Sequence, residues 1–239
     1  MKPPLPTKYD REIEHDHDAP PFNPLPWPVT LLAVVIFGIE LIFTAADAGL
    51  VGGPEATGWR IAALERYGFL EPLIGWMIDN NVVRWDYLSR FLTYPFVHGT
   101  FTHALFVTVF VLALGKLVGE VLGGWSVLLV FLGASVVGAL AYWLAWDTAV
   151  VLFGGYPGAY GLVGAFTFVL WAGLAGNATG LQAFTLIAFL AGIQLVFALI
   201  VGGGLDWVAD LAGFGAGFGL AFLVSPGGWT AVKQRVRRR

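Results

Sequence analysis

The chain contains no cysteine, which excludes disulfides, thiolate metal sites and a cysteine nucleophile. Charge is scarce too: 12% of the 239 residues are Asp, Glu, Lys or Arg, about half the share usual in a soluble domain. No basic stripe exists outside the extreme C-terminus, which argues against a nucleic-acid surface. Serine occurs only at positions 89, 126, 135 and 225, and every histidine lies at or before His103. Chemistry that needs either residue therefore has few places to occur.

Apolar residues fill the space that charge leaves. They make up 57% of the chain, and the mean hydropathy is +0.75. Uncharged runs extend from Val121 to Trp146, Thr148 to Leu205 and Leu211 to Val232, each long enough for a bilayer span of about 20 residues. Backbone groups in hydrocarbon have no water to bond, and the alternation of a barrel strand is absent, so these runs predict helices. The expected fold class is an all-α, polytopic membrane protein in contact with the lipid bilayer.

Residues 1–27, rich in Pro, Asp, Glu and His, predict a disordered tail rather than a cleaved signal. Within it, His15-Asp16-His17-Asp18 carries metal-binding side chains, but short acidic segments of this kind are ordinarily just solvated. No metal or other cofactor is expected. The membrane domain is placed at residues 28–224, with a basic tail at 225–239. Six spans are expected: Pro28–Ala46, Thr100–Leu122, Gly124–Trp146, a fourth ending near Gly176–Gly180, a fifth ending at Gly202–Gly204, and Asp206–Val224. Residues 50–95 mix aromatic and charged clusters, which suits short amphipathic helices in the membrane interface. The basic tail Lys233, Arg235, Arg237, Arg238 and Arg239 points to cytoplasmic termini, against Arg60, Arg66, Arg84 and Arg90 on the opposite side. Glu40, inside the first span, should face the protein interior or snorkel.

Three segments carry a pattern. The first is Trp85-Asp86-Tyr87-Leu88-Ser89-Arg90-Phe91-Leu92-Thr93-Tyr94-Pro95-Phe96-Val97-His98, followed by His103. The second is Gly154-Gly155-Tyr156-Pro157-Gly158-Ala159-Tyr160-Gly161-Leu162-Val163-Gly164-Ala165-Phe166. The third is Ala209-Asp210-Leu211-Ala212-Gly213-Phe214-Gly215-Ala216-Gly217. In order and spacing they resemble the rhomboid family of intramembrane serine proteases. Gly115-Lys116-Leu117-Val118-Gly119-Glu120 is similar to a further family motif, one residue longer. The resemblance implies a six-helix bundle in which Arg90, Thr93, Gly155, Gly158, Gly161, Gly164, Gly213 and Gly217 are structural. It also implies a Ser/His dyad at the start of the fourth span and in the sixth.

At those positions the chemistry is missing. A gapless register puts Tyr156 at the family's nucleophilic serine, and a register one residue shorter puts Pro157 there. Asp210 stands at the general-base histidine. On the oxyanion side His98 and His103 match, while Val107 replaces an asparagine. Serine hydrolysis needs a nucleophile, a base and oxyanion donors together. An aspartate, with a free pKa near 4, is a poor base for a serine near neutrality. Gly133-Ala134-Ser135 imitates the nucleophile motif but falls mid-span, where small residues serve packing.

The reading these residues favour is a catalytically inactive rhomboid-like protein that binds transmembrane segments of client proteins. A divergent active protease is the alternative, and a small transporter is a weaker one because inverted repeats are lacking. Asp210 either pairs with a tyrosine hydroxyl or His103, or reaches outer-side water together with Asp206. The expected location is the cytoplasmic (inner) membrane of a prokaryote.

Overall fold

A computed structural model describes residues 24–173, 180–190 and 204–225. In chain order the helices are α1 (Trp27–Asp47), α2 (Trp59–Tyr67), α3 (Glu71–Asp79), α4 (Trp85–Leu88), α5 (Arg90–Thr93), α6 (Phe101–Leu122), α7 (Gly124–Ala145), α8 (Tyr156–Gly173) and α9 (Trp207–Val224). Residues 185–190 are also helical. Among the described residues the one extended pairing is an antiparallel bridge between Phe69 and Leu152. His15–Asp18, most of the expected fifth span and the basic tail lie outside the described residues.

Local chemistry sets the helix ends. Pro28 sits in the first turn of α1, where its missing N–H is no loss. Thr100 caps α6 by accepting the His103 N–H at 3.2 Å, a usual N-cap device. Gly123, at φ +89°, both ends α6 and precedes α7, a backbone state that glycine adopts without steric cost.

Four of the helices, α1, α6, α7 and α9, are long and apolar enough to cross a membrane. Their outward faces carry bare aliphatic groups, such as Val34 and Leu144, as expected where lipid replaces water. The α8 helix is as long as α9 but opens on Tyr156, Pro157, Gly158 and Tyr160. Its residues 157–165 are all buried, because it is packed among α6, α7 and α9. The main core joins Val29 and Ile36 of α1, Val107 and Val111 of α6, Phe131 of α7, and Leu162 and Phe168 of α8.

The connection between α1 and α6 folds onto one end of this bundle. Phe69, Ile74 and Met77 form a second core with Tyr94, Tyr142 and Leu152. Arg90 Nη1 donates to the Gly68 carbonyl at 2.9 Å, and the Thr93 hydroxyl donates to the Tyr67 carbonyl at 3.0 Å. Both residues thus hold the end of α2. Glu40 is 1% exposed and takes two guanidinium bonds from Arg60, each 2.9 Å. An ionisable group inside a span faces the protein, as its position requires.

Candidate functional site

The site forms where the segment before α8 passes under the start of α6. Gly154 has φ +92°, and a Cβ there would run into the His103 ring, so only glycine fits. Its N–H donates to the Tyr94 carbonyl at 3.0 Å. The Gly155 N–H donates to His98 Nε2 at 3.2 Å. A Cβ on Gly155 would lie 2.7 Å from Val107 Cγ1, so Val107 abuts this backbone. Because Nε2 accepts, the His98 proton belongs on Nδ1. Burial, reinforced by neighbouring His103, pushes the His98 pKa down to about 3, which keeps the ring neutral and able to accept.

The next two residues separate cleanly. The Tyr156 ring stacks on His103, with centroids 4.7 Å apart and planes at 20°. His103 in turn meets His98 edge-on at 4.9 Å. Pro157 instead faces the helix interface: a Cβ on Gly138 would sit 2.8 Å from Pro157 Cβ, and one on Gly213 would strike the Pro157 carbonyl oxygen. Of the two registers open in the sequence, the geometry therefore brings Tyr156, rather than Pro157, over the histidines.

Gly161 and Gly164 of α8 and Gly213 and Gly217 of α9 form a backbone-to-backbone seam. A Cβ on Gly217 would strike the Gly161 carbonyl, and one on Gly164 would strike that of Phe214. A Cβ on Gly158 would lie 2.6 Å from the Phe131 ring. Such small residues let membrane helices approach closely. This approach carries Asp210, on the first turns of α9, into the bundle: it is 2% exposed. Asp206, one turn earlier, is exposed. Tyr94 donates to the Ser135 carbonyl at 2.8 Å.

Among the described residues, three of the four serine hydroxyls are bonded within their own helix or turn. Ser89 donates to the Asp86 carbonyl, Ser126 to that of Leu122 and Ser135 to that of Phe131. Ser225 lies 15 residues beyond Asp210, about 22 Å along a helix. The histidine pair, the Gly155 amide and the buried carboxylate can bind and orient polar groups.

One contributor was not visible in the sequence. Arg60, on α2, also donates from Nη1 to the His98 carbonyl at 3.0 Å and from Nε to Asp47 at 3.0 Å. It ties α1 to the loop that presents His98. Twenty residues separate Arg60 from Glu40, so no helical or strand spacing joins them in advance.

A bundle of apolar helices with a polar cluster buried at one end defines an integral membrane protein. A family model described as Rhomboid domain matches residues 86–227, more than half the chain, and the protein belongs to that family. No curated protein and no solved structure matches it.

Proposed function

We propose that this is a rhomboid-family protein that does not cleave peptide bonds and instead binds transmembrane segments of client membrane proteins. The observation that carries this reading is the Tyr156 ring lying on His103, at the position where the family resemblance calls for a serine. Asp210 lies buried at the position of the base, and Val107 replaces the oxyanion donor. Losing one such donor costs roughly a hundredfold or more in other hydrolases. The glycine seam that assembles the bundle is kept, so the scaffold outlasts the chemistry.

In this reading the chain has six spans, both termini lie in the cytoplasm of a prokaryote, and helices α2–α5 rest in the outer interface of the inner membrane. Trp59, Trp76 and Trp85, all exposed, then sit at headgroup depth. Clients would be held by helix packing and local polar pairing.

A fluorophosphonate probe and a model transmembrane substrate test the loss of chemistry in proteoliposomes. No labelling and no cleavage are expected, while crosslinking in native membranes should return membrane-protein clients. Labelling that vanishes in Ser135→Ala would establish the divergent protease instead.

A further inference from the structure

An apolar groove of about 520 Å³ lies between α1 and the connection that follows it. Its walls include Val35, Ile39, Ile42 and Phe43 of α1, Tyr67 at the end of α2, and Phe96. Two guanidinium groups cover its aromatic wall: Arg60 lies over Phe43 at 5.6 Å and Arg66 over Tyr67 at 5.7 Å. They differ in charge balance. Arg60 is neutralised by Glu40 and Asp47. Arg66 is exposed and, among the described residues, is in no ion pair.

A groove along a membrane-spanning helix does not fill with water, since its walls offer almost no polar partner. In a bilayer it is open to hydrocarbon. Of the two, Arg66 is the unbalanced cation, and it stands at the end of α2, beside the Tyr67 wall, where an anionic headgroup would gain from it. We propose that the groove is a binding site for an anionic phospholipid, with one acyl chain along Ile39 and Ile42 and the phosphate at Arg66. The site is independent of the client-binding reading, and either can fail without the other.

The test uses the full chain in proteoliposomes with phosphatidylglycerol or phosphatidylcholine bearing a photoreactive group in the acyl chain, and maps adducts by mass spectrometry. Adducts should concentrate on Ile39, Ile42 and Tyr67 over Val34 and Leu41, which are exposed on α1 but turned roughly 80–160° away. Phosphatidylglycerol should label more than phosphatidylcholine, and Arg66→Gln should lower its labelling about fivefold, the effect of one cation at a charged surface. Ile42→Trp, at a position 54% exposed, should reduce labelling by both lipids.

Adducts spread evenly over the outward face of α1 would overturn the site. So would equal labelling by the two lipids, or an Arg66→Gln variant that labels like the parent. Protection of the groove by a crosslinked polypeptide would assign it to a protein partner instead.

Discussion

Replacing Gly217 with alanine tests the packing that brings Asp210 inside. The added Cβ would strike the Gly161 carbonyl and lie 2.5 Å from Gly161 Cα. Those atoms are the backbone of α8, which has no rotamer to change, so the two helices must part. Overpacking of this kind costs about 1–3 kcal/mol, against a gain of roughly 0.5–1 kcal/mol from the better helix propensity of alanine. The same helix supplies its own control. Gly215 and Gly219 have nothing within 4 Å of a built Cβ, so their alanine variants gain the propensity term without the clash. Gly217→Ala should therefore fall below Gly215→Ala by about 1–3 kcal/mol in reversible unfolding in mixed detergent micelles. Equal stability of the two variants would refute the seam.

Further expectations follow from the polar groups. Glu40→Leu strands the Arg60 guanidinium, which is 13% exposed. It should cost about 3 kcal/mol, the lower end for a broken buried pair, because Asp47 remains. Glu40→Leu combined with Arg60→Leu should cost less than Glu40→Leu alone, measured by thermal midpoint in detergent. Neutral His98 gives a pH dependence with a definite sign. Its folded pKa, pushed down to about 3, lies below the free value of 6.5, so the unfolded chain binds more protons between these limits. The stabilisation is fully present above pH 6.5 and lost as pH falls toward 3, at about 1.4 kcal/mol per unit. His98→Asn, which keeps an acceptor, should flatten that slope. Asp210→Asn should shift the unfolding midpoint, and an unchanged midpoint would remove the case for a paired carboxylate.

Much of the bundle was legible because helix signals are local. The helix start at Pro28 acts within one turn, and α1, α6, α7 and α9 begin and end within a residue or so of their expected bounds. The polar contacts were less legible. The Asp210 environment left two readings open, and the Arg60 contacts to Glu40, Asp47 and the His98 carbonyl gave no periodic signal.

The sequence by itself determined the class: apolar runs too long for a soluble core, no cysteine, and a family pattern with no serine or histidine at the dyad positions. Spacing of glycines also marked the α8 and α9 faces for close approach. Only the tertiary structure decided that Tyr156 rather than Pro157 lies over His103. Only it decided that Asp210 is buried while Asp206 is exposed. Composition and spacing act along one chain direction, whereas these outcomes depend on how far one helix slides and turns against another. That displacement is set by backbone contact at Gly161, Gly213 and Gly217, where there is no side chain to read.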